Sequence, residues 1–187
     1  MRVYRACAVG YVGGVDASLW IFAYGSLIWR PDFEFGERRP ACVEGWSRRF
    51  WQGSVDHRGV PTAPGRVVTL AAEPGVRCWG VAYRVAEASR QLVLDNLDHR
   101  ERGGFDRVDV EVWLDAPDAD PVPAITYVAP PTNPNYLGPA PIAAIAEQVR
   151  RSHGPSGSNL EYALRLAESL EALGLDDEHV FELAAKL

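Results

Sequence analysis

Sulfur and histidine are scarce in this chain, and their scarcity narrows its chemistry. The three cysteines, Cys7, Cys42 and Cys78, are odd in number and widely spaced. No Cys-x-x-Cys occurs, so neither a zinc ribbon nor a thioredoxin-like redox motif is indicated. Reduced thiols in a cytoplasmic setting fit this usage. His57, His99, His153 and His179 show no metal-ligand spacing, and no metal site is expected. No apolar run reaches the roughly 18 residues that a membrane-spanning helix needs. Positive charge is in deficit as well. The net charge of −6 argues against bulk electrostatic binding to nucleic acid or to an anionic membrane.

What is present is the composition of a soluble globular protein, 47% apolar and 24% charged. A chain of 187 residues has room for one well-formed core. Residues 1–18 stand apart. Arg2 and Arg5 precede a short Gly-rich apolar stretch that faintly resembles a signal peptide, but Asp16 sits where a cleavage site should be. This segment is expected to be an N-terminal extension, either a loose arm or an extra edge strand. Residues 19–187 are expected to form one domain.

The middle of the chain alternates β-type runs with Gly/Pro punctuation. Strands are predicted at Trp20–Tyr24, Arg48–Gln52, Val67–Leu70, Cys78–Val85, Val108–Leu114 and Ala124–Val128. Turns are predicted at Pro31-Asp32, from Pro61 to Gly65, and at Glu73-Pro74-Gly75. Leu92, Val93 and Leu97 give helical periodicity to Glu87–Arg100, with Gly103-Gly104 as a stop. A proline-rich loop spans Pro130 to Pro141. Helices follow at Ile142–Ser152, Asn159–Leu173 and Asp177–Leu187, with Ser158 or Asn159 capping the second. The predicted class is α+β, a small mixed or antiparallel β-barrel flanked by helices.

Four stretches could carry chemistry. The apolar run Trp20–Tyr24 meets Gly25 and Ser26. A strand that ends in such a turn exposes successive N–H groups able to cradle an anion, although an ordinary strand end would look the same. Glu101 ends a charged run before two glycines. It is either a solvated helix terminus or a carboxylate turned inward, where partial drying raises its pKa and suits it to proton transfer. Asp98, one turn earlier, could share its face. The segment from Ser47 to Gly59 interleaves arginines with aromatics. That pattern suits a strand with a wet arginine face, a site for a small anion, or single-stranded nucleic acid, and the acidic balance favours the first two. Asn133-Pro134-Asn135-Tyr136 is either a structural crossing or a rigid mount for Tyr136.

Taken together, several ordered blocks resemble the ChaC family of glutathione-specific γ-glutamylcyclotransferases. They are Tyr24-Gly-Ser-Leu-Ile-Trp, Ser47-Arg-Arg-Phe-Trp-Gln-Gly-Ser, Asp56-His-Arg-Gly-Val-Pro, Pro64-Gly-Arg-Val-Val-Thr-Leu and Trp79-Gly-Val-Ala-Tyr-Arg. Leu97-Asp-His-Arg-Glu-Arg-Gly-Gly, Asn133-Pro-Asn-Tyr-Leu-Gly-Pro-Ala-Pro and Gly154-Pro-Ser-Gly complete the series. The resemblance implies a γ-glutamylcyclotransferase-like fold. It also implies a cofactor-free lyase that cleaves glutathione into 5-oxoproline and cysteinylglycine. The family's catalytic glutamate falls on Glu101, and its substrate-cradling segment on Ile21, Phe22, Ala23, Tyr24, Gly25 and Ser26, with Leu27 just beyond. Two positions depart from the family pattern: Ala23 replaces a common glycine, and Phe105 a common tyrosine.

The chemistry needs no protein nucleophile. The free α-amine of a γ-glutamyl peptide can close a five-membered ring on its own γ-carbonyl, so holding the bent conformer is the main task. The expected roles are Glu101 as general acid–base, the amides of Gly25, Ser26 and Leu27 on the α-carboxylate, and Tyr24 and Tyr136 as pocket walls. Arg48, Arg49 and Arg58 are the candidates for the glycine carboxylate, with Arg49 included among the expected substrate contacts. Glutathione is the expected small-molecule partner, with no nucleic acid and no membrane, in the cytoplasm, as monomer or dimer. The alternatives are a cyclotransferase for other γ-glutamyl amino acids or amines, a catalytically dead binding module, and a single-strand RNA binder.

Overall fold

The computed structural model describes residues 18–116, 118 and 120–187. The expected arm or edge strand at residues 1–18 lies outside the described residues, Ser18 excepted. Five strands build a closed barrel: β1 (Leu19–Ala23), β2 (Glu37–Ser54), β3 (Gly65–Val85), β4 (Asp106–Leu114) and β5 (Val122–Val128). Their order around the barrel is β1-β3-β2-β4-β5. All neighbours run antiparallel except β1 and β5, whose parallel pairing at Trp20–Ala124 and Ile21–Ile125 closes the barrel. The sheet is therefore mixed, and its strand order closes on itself.

Two of the predicted strands are one. Val67–Leu70 and Cys78–Val85 both lie in the 21-residue β3, and Arg48–Gln52 lies inside the 18-residue β2. The predicted turn at Glu73-Pro74-Gly75 is a bulge instead. Glu44 pairs with Arg77 and Trp46 with Ala72, so the extra residues of β3 loop out opposite Gly45 alone. Gly45 and Gly75 both take φ +81°, the left-handed region that glycine tolerates. The exposed Pro74 needs no ladder partner there, which reconciles proline with the strand. A second register shift, between Arg49 and Gln52, sets Phe50 and Trp51 against Val68.

Apolar residues of every barrel strand meet in one core with the helices, among them Ile21, Val43, Phe50, Val81, Val112 and Tyr127. A short 3-10 turn, Glu87–Ser89, leads into α1 (Arg90–Arg100). That helix buries Val93, Leu94 and Leu97, whereas Leu92 is 66% exposed and takes no part in the face it was expected to share. After the proline-rich loop come α2 (Ile142–Arg151), the two-residue strands β6 (His153–Gly154) and β7 (Gly157–Ser158), α3 (Asn159–Ala172) and α4 (Glu178–Ala184). Ser158 caps α3, accepting from the Glu161 amide at 3.1 Å.

Asn159 does a different task. Its side chain accepts from the Arg66 amide at 2.6 Å and donates to the Arg66 carbonyl at 2.7 Å. It thereby acts like one more strand residue and ties α3 to β3. Among the described residues, no helix is long and apolar enough to cross a membrane.

Candidate active site

The site begins where β1 runs out. Tyr24 follows the strand, Gly25 turns the chain, and Ser26–Ile28 form one 3-10 turn closed by the Ile28 amide on the Gly25 carbonyl at 2.9 Å. The turn is clamped from several sides. The buried Tyr24 hydroxyl donates to the Tyr127 carbonyl at 2.6 Å, and Arg48 Nε donates to the Tyr24 carbonyl at 2.7 Å. A Cβ built on Gly25 would lie 3.1 Å from Val68 Cγ2 and 3.3 Å from the Tyr162 hydroxyl. Only hydrogen fits comfortably at that position. Among the described residues, no acceptor takes the N–H of Gly25 or of Ser26.

The second wall comes from the end of α1. The helix stops at Arg100, and the Glu101 amide still bonds the Leu97 carbonyl at 2.8 Å. The chain then leaves the helix through Gly103 and Gly104. Gly104 takes φ +95°, and Asn133 of the proline-rich loop donates to the carbonyls of both glycines. This exit leaves the Glu101 side chain 18% exposed, on the wall of a cavity of about 310 Å³ that the Tyr24–Leu27 turn also lines. Arg100 joins the two walls. Its Nη2 donates to Ser26 Oγ at 2.9 Å, while its Nε lies 3.3 Å from Glu101 Oε1.

Burial pushes the Glu101 carboxyl above its ordinary value. The Arg100 guanidinium opposes the shift and the Asp56 carboxylate adds to it. Burial, helped by the Glu101 charge, also raises Tyr24 far above a free phenol, and burial pushes Tyr162 up to about 12. Both tyrosines therefore stay protonated at neutral pH. The arrangement is a carboxyl of raised pKa sharing a small cavity with the Tyr24–Leu27 turn. Among the described residues, no group of three or more His, Cys, Asp or Glu is placed to hold a metal ion.

The predicted residues distribute as follows. Phe22, Ala23, Tyr24, Gly25, Ser26 and Leu27 line the cavity. Ile21 does not, because it is fully buried between Tyr83 of β3 and Ile125 of β5. Ala23 has no positive φ, so alanine sits there without strain. Arg49 is outside the cavity, paired with Glu73 at 2.8 Å and lying over Trp51. Tyr136 is outside as well. It bridges to Gln52, and its neighbour Asn135 lines the cavity instead. Arg48 is buried behind the turn, and of the three arginines only Arg58 reaches the cavity wall.

Asp98 does not line the cavity with Glu101. It accepts from the Tyr127 hydroxyl at 2.5 Å and from Arg107 at 3.1 Å. Sequence reasoning missed Tyr162, Arg100, Asn133 and Thr126 as parts or supports of this site. They come from four separate segments, and no local pattern links them.

A closed barrel flanked by helices, with a largely buried carboxyl and a strand-end turn lining one cavity, is the architecture of a small-molecule site. The comparisons narrow that reading. The family model described as ChaC-like protein matches residues 19–187. Over 172 residues the chain is 49% identical to the human glutathione-specific gamma-glutamylcyclotransferase 1, covering 89% of this chain and 77% of that one. It is 42% identical to gamma-glutamylcyclotransferase 2-3 of Arabidopsis thaliana, over 89% of this chain and 87% of the relative. A crystal structure of the gamma-glutamyl cyclotransferase specific to glutathione from yeast superposes with a TM-score of 0.86. It is 28% identical and covers 90% of this chain and 95% of that one. The chain belongs to the ChaC-like family.

Proposed function

We propose that this chain is a glutathione-specific γ-glutamylcyclotransferase that releases 5-oxoproline and cysteinylglycine. The observation that carries the reading is the Glu101 carboxyl, drawn into the cavity opposite the Tyr24–Leu27 turn and raised in pKa by burial. The names of the human and yeast relatives supply the substrate.

In this reading the amides of Gly25, Ser26 and Leu27 grip the α-carboxylate of the γ-glutamyl group. The substrate curls, and its neutral α-amine attacks the γ-carbonyl carbon. Glu101 takes a proton from the attacking nitrogen and returns it to the nitrogen of cysteinylglycine as the carbon–nitrogen bond breaks. A carboxyl raised towards neutrality is suited to both directions of transfer. Holding the bent conformer is worth about 7–11 kcal/mol of barrier in well-aligned intramolecular reactions, which is why geometry and not a nucleophile is the demand.

Arg58 is our choice for the glycine carboxylate. It is held on the cavity wall by the Ser158 carbonyl at 3.1 Å, by Glu161 at 3.3 Å and by the Tyr162 ring. Arg49, committed to Glu73 outside the cavity, is the weaker candidate. The free Cys42 and Cys78 fit a reducing, cytoplasmic setting.

The test is direct. Purified protein is incubated separately with glutathione, γ-glutamylalanine and γ-glutamylamines, and 5-oxoproline is followed. Glutathione should be turned over with the highest kcat/KM. Equal or better turnover of γ-glutamylalanine would move the substrate assignment, and no 5-oxoproline from any of the three would end the cyclotransferase reading.

A further inference from the structure

Arg48 is one of the least exposed residues of the protein, at 1% of its surface. A guanidinium is costly to bury unless every direction it points in is answered. Here three acceptors answer it. Nε donates to the Tyr24 carbonyl at 2.7 Å, Nη1 to Asp177 Oδ2 at 2.7 Å, and Nη2 to the Trp79 carbonyl. Asp177 is itself fixed, because its other oxygen caps α4 by accepting from the Val180 amide at 3.1 Å. A line of polar contacts thus runs from the start of α4, through Arg48, to the peptide that joins Tyr24 to Gly25.

That peptide is trans, as are all the peptides of the described chain. In a planar trans peptide the carbonyl and the following N–H point in opposite directions. Arg48 holds the Tyr24 oxygen towards β3 and α4. The Gly25 N–H therefore points the other way, on the side where Gly25 lines the cavity. The pull of a cation on the carbonyl also polarises the peptide and strengthens its N–H as a donor.

We infer that Arg48, anchored by Asp177, is a positioning residue that aims the Gly25 amide at the substrate's α-carboxylate without touching substrate. The inference rests on the reading of the preceding subsection, in which that amide belongs to the carboxylate cradle. It also gives α4 a functional part, since the helix supplies the acid that anchors the arginine.

The test uses the full chain with Arg48→Lys and Asp177→Asn. Lysine keeps a charge for Asp177 but has one compact ammonium in place of a three-way fork. Asparagine keeps the helix cap and loses the charge. Two quantities are compared in each protein. One is the KM for glutathione. The other is the competitive inhibition constant of 4-aminobutyryl-cysteinylglycine, which retains the amine and the reacting carbonyl but lacks the α-carboxylate. Arg48→Lys should raise the glutathione KM about tenfold or more, the scale of one charge-assisted hydrogen bond. Its kcat should stay within about threefold, since the contact is made equally in ground and transition states. The analogue should bind as it does to wild type.

Asp177→Asn should move KM the same way by a smaller factor, and it decides the question alone if Arg48→Lys does not fold. A parallel loss for both ligands would show a merely structural role and overturn the inference, as would no change in KM for either variant. Wild-type protein that makes no 5-oxoproline would instead overturn the functional reading itself, and the inference with it.

Discussion

The Arg100 guanidinium lies 3.3 Å from the Glu101 carboxylate although the two residues are consecutive. Neighbours inside a helix splay apart and do not meet. These two meet at the end of α1, where Glu101 caps the helix at φ −91° and ψ 9°. The consequence is a carboxyl whose protonation is set by opposing influences. Burial raises its pKa most, Arg100 lowers it, and Asp56 raises it further.

Removing either charged neighbour should move the pH profile, in opposite directions. Glu101 must be ionised to accept the amine proton, so kcat/KM rises with pH through its pKa. Arg100→Gln takes away the stabilising cation, and the acid limb should shift to higher pH. Asp56→Asn takes away a repelling anion, and the limb should shift to lower pH. Profiles of kcat/KM between pH 4.5 and 8.5 would check this. Shifts of the same sign in both variants would remove Glu101 as the titrating group.

Glu101→Gln should fold as the wild type does, since the amide is isosteric and the carboxyl is tied to the protein by Arg100 alone among the described residues. Turnover of glutathione should fall about 10²–10⁴-fold, the usual contribution of a positioned acid–base group. Glutathione should still bind by calorimetry. Undiminished 5-oxoproline release would take Glu101 out of the mechanism.

Gly25→Ala tests the tightness of the cradle. The Gly25 φ of −126° is not in the left-handed region, and the effect tested is the crowding that a side chain would meet there. The new methyl would press on Val68 Cγ2 at 3.1 Å and on the Tyr162 hydroxyl at 3.3 Å. Overpacking of this kind costs about 1–3 kcal/mol of stability. Displacing the turn should lower kcat/KM, approaching about 10²-fold for a shift near 1 Å. Adding Tyr162→Phe removes one of the two contacts and should restore part of the loss, measured as turnover beside thermal unfolding.

Much of this site was legible in the chain because its two walls are local. The apolar run into Gly25 announces a strand end, and the charged run into Gly103-Gly104 announces a helix end. Burial was not legible, and burial decides what each arginine does. Arg48 and Arg49 are adjacent on β2, so they face opposite sides of the sheet, one towards the core and one towards Glu73. No pattern says which goes inward. The same gap explains Tyr136. The sequence leaves its rigid loop open between a structural crossing and a mount for Tyr136; the loop bonds β2 through the Gly53 amide on the Asn135 carbonyl at 2.8 Å, which brings Asn135 and not Tyr136 to the cavity. The fusion of two predicted strands into β3 had a related cause. Glu73-Pro74-Gly75 carries turn chemistry, and only the partner strand's Gly45 makes it a bulge.

His179 gives a stability prediction with a definite sign. It lies on α4, and its Nε2 accepts from the Phe50 amide at 3.1 Å, at the register shift of β2. An accepting Nε2 requires the neutral ring. Burial lowers the pKa of His179 most and the nearby Arg49 charge lowers it further; Asp177 and Glu182 oppose the shift, and Arg48 adds least to it. The folded pKa is therefore below the unfolded value of about 6.5, so the unfolded chain takes up the proton first as pH falls. The contribution is fully present above about pH 6.5 and drains away as pH drops from there through the folded pKa. Urea midpoints at pH 7.5 and 5.5 should show a loss in the wild type at the lower pH. His179→Gln should be less stable at pH 7.5 and lose less between the two. An equal loss in both proteins would place the acid sensitivity elsewhere.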